Sequence, residues 1–497
     1  MLPLIPWPTA VEPSDAPPLR AGAVRITAPD AELAGLAAEQ LAAAGLPVVT
    51  GGDASSADAP AAAGAADVVG VVDVVLRLDE SAGPAGSDNP ERYTLRVAAD
   101  GVVATAPERV GLLHAVRTLR QLVPAPAGAG AAPTVPAVVV HDAPRYGWRG
   151  LSFDVVRHWF GPADMRAVVD LVAAFKLRVL HLHLTDDQGW RIEIPSRPEL
   201  EKASDNQVGG GTAGFLTTED YRELQEYAAA RFVTIVPEFD MPGHINAATH
   251  VYGHLTKDGL PTDSYDGIEV GFSRLWFDNP ATEPFLRDVI GDLAAMTVGE
   301  WVHVGGDEVH TMEVEEFGRF VELAARIVRE SGKTPVFWQE GARGPVEPGT
   351  LLQYWEPKGE EFDRFVAAAG AGARFIMSPG NHAYLDMKYT PEHPLGLAWA
   401  GHVELRDSYE WEPTAVIDGL SADAVEGVEA AVWTETITTR DELFSMLLPR
   451  LGAVAEVAWT APERKDWEAF RARTAAQAPA WRDAGWEFHP TPQVDWP

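Results

Sequence analysis

The stretch WVHVGGDEVH, residues 301–310, is the point from which the fold can be read. Trp301-Val302-His303-Val304 has the composition of a short buried strand. Gly305 and Gly306 follow, and a glycine pair lets the backbone turn sharply or lets another group approach closely. Then come two adjacent carboxylates, Asp307 and Glu308. Neighbouring acids repel, which drives their proton affinities apart. A strand that ends in a glycine turn presenting two acids suits an acid/base site. Taken alone, the same ten residues equally describe a solvated loop with two surface acids.

The surrounding chain decides between these. Short apolar, β-rich runs recur at Trp148–Phe153, Val179–Leu184, Thr234–Phe239, Trp301–Val304, Val336–Trp338, Leu351–Tyr354, Phe375–Met377 and Gly427–Trp433. Amphipathic helical stretches such as 163–177 and 218–231 lie between them. Eight β-then-α units predict an α/β protein with a (β/α)8 TIM barrel. A doubly wound sheet is the alternative, but it often carries a glycine-rich phosphate turn, which is not seen here.

Upstream, the pattern is that of a small α/β (α+β) N-terminal domain. Residues 23–27 and 68–78 read as strands, and Tyr93-Thr-Leu-Arg-Val and Val102-Val-Ala-Thr as a hairpin turning at Ala99-Asp-Gly. Helices are expected over 30–45 and 108–123, and a low-complexity loop over 51–66. The proline/glycine/alanine stretch 124–134 reads as a linker, which puts the small domain at 1–135 and the barrel at 136–497.

Composition bounds the partners. Of 497 residues, 46% are hydrophobic, enough for a large core. The net charge of −34 repels nucleic acid and anionic membrane surfaces. No cysteine is present, which excludes disulfides and thiolate chemistry. The N-terminal stretch has no basic region followed by an unbroken apolar run, so a cytoplasmic enzyme is expected, though a chain already trimmed of a secretion leader would read the same.

In a barrel the strand C-terminal ends carry the active face. The residues following the runs are Asp154 and Arg157; Asp186, Asp187 and Trp190; Asp240 and His244; Asp307 and Glu308; Trp338 and Glu340; Trp355 and Glu356; Tyr384, Asp386 and, further on, Trp399; and Trp433 and Glu435. Tryptophans stack on the apolar faces of sugars, while carboxylates and arginine hold ring hydroxyls. A carboxyl group is the usual acid for glycosidic cleavage, and the usual design places two carboxyls on either side of the bond. Asp307 and Glu308 are neighbours, so they fit that design poorly.

The motifs DVVRHWF (154–160), LHLHLTDDQGWRIEI (180–194), PEFDMPGH (237–244), HVGGDE (303–308), VFWQE (336–340), QYWEP (353–357), AYLDMKY (383–389) and VEAAVWTET (428–436) resemble, in order, those of glycoside hydrolase family 20 β-N-acetylhexosaminidases, actinomycete-like bacterial ones included. YTLRVAADGVVATA and GLLHAVRTLRQLV resemble that family's small N-terminal domain. The resemblance implies substrate-assisted retaining hydrolysis, in which the substrate's 2-acetamido oxygen replaces a carboxylate nucleophile. It implies Glu308 as general acid/base and Asp307 as the group that orients the acetamido N–H. Arg157 would hold O3 and O4, and Asp386 and Glu435 would hold O6 and O4. Trp338, Trp355 and Trp433 would cage the acetamido methyl and sugar face, with Trp399 as a further wall and Tyr384 donating to the acetamido oxygen. Asp186, His244 and Asp240 would support the acid. No metal and no cofactor is expected.

Several residues compete for attention. His181 and His183 alternate on a strand near Asp186 and could ligate a metal, although packing beneath the rim is the expected role. His303, His310, Asn381, His382 and His393 read as packing or loop residues, and Tyr409 and Trp411 as either a leaving-group subsite or core. The expected partner is a carbohydrate with a terminal N-acetylhexosamine, bound by a monomer or homodimer. A family-20 enzyme releasing a disaccharide, as a lacto-N-biosidase does, a metal-dependent barrel hydrolase and a non-catalytic sugar-binding module are the alternatives.

Overall fold

The computed structural model describes residues 2–49, 70–124, 132–357 and 361–497. The loop expected over 51–66 lies outside the described residues, as does most of the 124–134 stretch.

The chain forms two compact units, Met1–Arg145 with Trp459–Pro497, and Tyr146–Ala458. The boundary read from sequence lay ten residues earlier and assigned 459–497 to the barrel. The proline/glycine-rich stretch is not the end of the first unit, because the strand Val138–Asp142 after it pairs with Tyr93–Ala98 and Ala10–Pro13. The first unit holds a seven-stranded mixed sheet. Tyr93–Ala98 and Gly101–Ala106 form the expected hairpin, and helices run over Ala31–Ala43 and Arg109–Leu122. The helix Trp467–Asp483 also belongs to this unit.

The second unit is a closed barrel of eight parallel strands: β1 (Trp148–Asp154), β2 (Val179–His183), β3 (Thr234–Glu238), β4 (Trp301–His303), β5 (Thr334–Trp338), β6 (Leu351–Tyr354), β7 (Arg374–Met377) and β8 (Val425–Val432). Each coincides with one of the runs read from sequence. Helices Pro162–Ala174, Thr218–Ala230, Thr282–Met296, Val314–Glu330 and Phe362–Gly370 follow β1 to β4 and β6. The fifth and seventh units depart from the pattern: a 3-10 turn Gln339–Arg343 stands between β5 and β6, and only the short helices Gly380–Ala383 and Leu405–Tyr409 between β7 and β8. Among the described residues no helix is long and apolar enough to cross a membrane.

The barrel interior is layered. Trp148, Val179, Val236, Val336, Leu351 and Ile376 form an apolar plug near the strand N-termini. One layer up, the inward positions are polar. Side chains alternate along a strand, so His181 and His183 of β2 point the same way and meet Glu238 of β3, His303 of β4 and Glu429 of β8. The active face is built on this layer.

Candidate active site

Glu238 is the hub of the polar layer. Its carboxylate receives His183 Nδ1 at 2.6 Å and Trp338 Nε1 at 2.7 Å, and pairs with His181 Nε2 at 3.2 Å and His303 Nδ1 at 3.1 Å. Burial works to raise its proton affinity, but His183, His303 and His181 hold the carboxyl well below its usual range. Glu429 receives Trp148 Nε1 at 2.7 Å, His181 Nδ1 at 2.9 Å and Gln353 Nε2 at 2.9 Å. Burial opposes charge on both imidazoles, yet Glu238 and Glu429 push His181, and Glu238 and Asp186 push His183, up to about 9. Protonated imidazoles donate from both nitrogens, and His181 and His183 stand as counter-ions to the carboxylates around them. Their neighbour His303 stacks on His181 with centroids 4.5 Å apart.

From His183 the network rises to the rim. His183 Nε2 lies 2.9 Å from Asp186 Oδ2, which also takes Arg157 Nη2 at 2.8 Å, while Asp186 Oδ1 faces His244 Nδ1 at 3.2 Å. Burial favours the neutral acid, but Arg157 and His244 pull the Asp186 carboxyl well below its usual range. On its other side, His244 Nε2 stands 3.4 Å from Glu308 Oε2 and 3.6 Å from Asp307 Oδ2. Burial opposes protonation of His244; Asp186, Asp307 and Asp240 outweigh it and raise the imidazole well above its ordinary value.

The glycine turn explains how the two acids are presented. A Cβ on Gly305 would lie 1.7 Å from Asp240 Oδ1, so this position admits only glycine, and Gly306 N donates to the same oxygen at 2.9 Å. Glu308 itself lies in the left-handed region at φ 51°, as does its partner His244 at φ 48°. Two non-glycine residues in a sparsely populated conformation, with side chains facing each other, mark backbone held in place for a purpose. Asp240 is buried against Asp307. Burial and the Asp307 charge push the Asp240 carboxyl well above its usual range, while Asp307 is raised by burial and lowered by His244 and by its hydrogen bond from Asp240. The two carboxyls thus crowd one buried place, where a proton between them relieves their repulsion. The Asp307 side chain is 12% exposed and that of Glu308 25%. Glu308 is the more open of the two.

The aromatic side chains converge opposite. Trp338, Trp355 and Tyr384 are buried in one cluster, with Trp433 packed against it. Trp338 and Trp433 have centroids 5.9 Å apart, and Trp355 stacks on Tyr384 at 6.3 Å. Trp399 meets Trp355 and Tyr384 edge-on at 5.4 Å each and is 47% exposed, an aromatic wall at the mouth. Tyr384 lies within electrostatic reach of Asp307, Asp386 and Glu308, and burial and these charges raise its hydroxyl well above the usual range. Arg157 sits over the Trp433 ring at 5.0 Å. Burial opposes its charge, but Asp186, Asp154, Glu435 and Glu308 hold it cationic. Burial and Glu435 raise Asp386, and both its carboxylate oxygens lack a side-chain hydrogen-bond partner. Burial also raises Glu435, with Arg157 acting against it.

All thirteen residues singled out in the sequence thus lie on one face of the barrel. Tyr409 and Trp411 do not join them: both are buried, bonded to Glu456 and to the Ser408 carbonyl, and His382 stacks on Trp411. The sequence reading passed over Glu238, although it lies inside the PEFDMPGH motif. It noted Glu340 without a role. Glu340 accepts Trp355 Nε1 at 3.2 Å, and burial together with Asp307 pushes its carboxyl up to about 8. The available signal was position, a carboxyl at a strand end beside a cage tryptophan.

Aromatic walls shaped for a ring, acceptors for its hydroxyls and one solvent-reachable carboxyl beside a buried one suit acid-assisted opening of a glycosidic bond. The class so defined is a glycoside hydrolase. Sequence comparison agrees: the profile "Glycosyl hydrolase family 20, catalytic domain" matches residues 146–462, and "Glycosyl hydrolase family 20, domain 2" matches residues 1–143. The chain belongs to glycosyl hydrolase family 20. It is 52% identical over 504 residues to the β-N-acetylhexosaminidase of Cellulomonas fimi, covering 99% of this chain and 97% of that protein. Among solved structures, Streptomyces plicatus N-acetyl-β-hexosaminidase in complex with Thio-NAglucal superposes with a TM-score of 0.90 at 40% identity, covering 100% of this chain and 98% of that one. The Streptomyces coelicolor A3(2) family-20 β-N-acetylhexosaminidase gives 0.90 and 40%, covering 100% and 99%.

Proposed function

We propose that the enzyme is an exo-acting β-N-acetylhexosaminidase that removes one terminal β-linked GlcNAc or GalNAc by substrate-assisted retaining hydrolysis. One observation carries this reading: the carboxylate beside the accessible acid is not free to attack. Asp307 is buried against Asp240 and faces His244. It is built to hold a hydrogen-bond donor and balance positive charge.

In the first step the acetamido oxygen of the substrate bonds to the anomeric carbon, the glycosidic C–O bond breaks, and Glu308 gives its proton to the departing oxygen. The result is an oxazolinium ring, whose N–H and positive charge face Asp307. Tyr384 donates to the acetamido oxygen, and Trp338, Trp355 and Trp433 enclose the methyl. In the second step Glu308 takes a proton from water as the water oxygen attacks the anomeric carbon, and the bond from that carbon to the acetamido oxygen breaks, restoring the acetamide. Two inversions leave the β-configuration retained.

Arg157, fixed by Asp186 and by Asp154 at 3.5 Å, closes the end that a disaccharide-releasing enzyme would need open. The test is turnover of nitrophenyl β-GlcNAc, β-GalNAc and β-glucose. Cleavage of the two acetamido sugars alone is expected, together with tight inhibition by a thiazoline analogue of the cyclised intermediate. Comparable hydrolysis of the glucoside would remove the mechanism. Activity lost in EDTA would favour a metal-dependent hydrolase instead.

A further inference from the structure

Asp386 is held differently from three other carboxylates of the site. Asp186, Asp307 and Glu308 meet basic side chains directly. Neither Asp386 oxygen has a side-chain hydrogen-bond partner, so its direction rests on the backbone around it.

That backbone, residues 384–388, lies outside the eight strands and is fixed along two sides. On one side Leu385 N donates to Ala431 O at 2.7 Å, Leu397 N donates to Asp386 O at 3.1 Å, and Lys388 N donates to Leu397 O at 2.7 Å. On the other stands Arg450, whose side chain is fully buried. Its Nη2 donates to Leu385 O at 2.6 Å and Met446 O at 2.9 Å, and its Nη1 to Met387 O at 2.8 Å and Val403 O at 2.7 Å. The guanidinium lies 3.6 Å over the Tyr389 ring. One rigid fork thus grips the carbonyls on both sides of Asp386. Three consecutive carbonyls, 385 to 387, are engaged, and rotation of the Asp386 backbone would break at least one charged hydrogen bond.

We propose that Arg450 is a positioning residue for substrate recognition, aiming the Asp386 carboxylate at a hydroxyl of the terminal sugar. This rests on the reading that Asp386 and Glu435 hold O6 and O4. Lysine cannot replace it, because a single ammonium cannot span two carbonyls in a fixed plane.

The test compares kcat/KM for nitrophenyl β-GlcNAc and its 6-deoxy and 4-deoxy analogues in the full-length enzyme. Asp386→Asn identifies the hydroxyl: its loss is confined to substrates that carry it. Arg450→Lys is expected to reproduce that pattern, losing about ten- to a hundredfold on the parent sugar, the scale of a misplaced contact, and less than about threefold on the analogue lacking that hydroxyl. The folded fraction cancels in a ratio between substrates, so lost stability cannot imitate this result. If Arg450→Lys does not fold, Tyr389→Leu, which removes the ring beneath the guanidinium, is expected to show the same selectivity more weakly. Equal loss on all three substrates in the Arg450 or Tyr389 variant, with selective loss in Asp386→Asn, overturns the proposal alone. Equal loss in Asp386→Asn removes the hydroxyl reading of Asp386 and the proposal with it.

Discussion

Asp307 and Glu308 are adjacent, yet a strained turn sends them into different surroundings. Glu308 reaches solvent beside His244, while Asp307 is buried against Asp240. Glu308→Gln keeps shape and removes the proton; turnover of nitrophenyl β-GlcNAc should fall by orders of magnitude with KM near wild type. Asp307→Asn should lower kcat about 10²–10³-fold, the scale of one lost preorganised contact, and full activity would rule out the clamp role. The shared proton makes a further distinction. Asp240→Asn retains a donor toward Asp307 and should keep most activity. Asp240→Leu removes a charge-assisted hydrogen bond and should cost about ten- to a hundredfold in kcat/KM. Equal losses in the two variants would sink the shared-proton assignment.

At the scale of elements, the site stands on a charged layer contributed by β2, β3, β4 and β8. His181 and His183 have folded-state values of about 9, above the ordinary 6.5. A raised imidazole contributes stability that is complete below its unfolded value and lost as pH rises through its folded one. The contribution of these pairs should therefore be whole below about 6.5 and gone above about 9. Glu340 acts in the same direction: its folded carboxyl titrates near 8 against an ordinary 4.5, so its contribution fades between those values. Urea-unfolding midpoints should fall from slightly acid to alkaline pH, and the slope should lessen in Glu340→Gln. An unchanged slope in that variant would show that Glu340 is ionised in the folded protein. In side-chain NMR, both nitrogens of His181 and His183 should remain protonated at neutral pH; a neutral ring would contradict the counter-ion role. The loop after β4 carries the tightest steric demand. Gly305→Ala places a methyl against Asp240 in a left-handed conformation. It should lower stability by at least about 1–3 kcal/mol and disorder both acids; a wild-type midpoint and activity would show the turn to be permissive.

At the scale of the whole molecule, the last segment of the chain returns to the first unit. Trp459 Nε1 donates to Asp142 Oδ1 at 2.9 Å and Thr460 Oγ1 to the Trp7 carbonyl at 2.7 Å, while Arg473 and Gln477 bond the carbonyls of Leu4 and Pro3. Phe470, Ala478 and Trp481 are buried there. Deletion after Ala458 should leave the first unit with an open core, seen as rapid proteolysis within residues 2–145. Protection equal to the full chain would show that residues 459–497 are dispensable.

Periodicity and local composition made the strand and helix positions legible, because alternation and helical spacing are properties of neighbouring residues. The eight runs fell on the eight strands, and barrel geometry then placed Arg157, Asp186, Asp240, His244, Asp307, Trp338, Trp355, Tyr384, Asp386, Trp433 and Glu435 on one rim. The Pro/Gly-rich stretch misled about the domain boundary, since strand pairing across it is not a local property. Tertiary structure alone decided that Asp240 and Asp307 crowd each other, because they lie far apart in the chain and meet only when it is folded. It also decided that His181 and His183 answer Glu238 and Glu429, and that Arg450 grips both sides of Asp386. Residue types fix which groups can ionise or donate; burial and the partners the fold brings near fix which of them do.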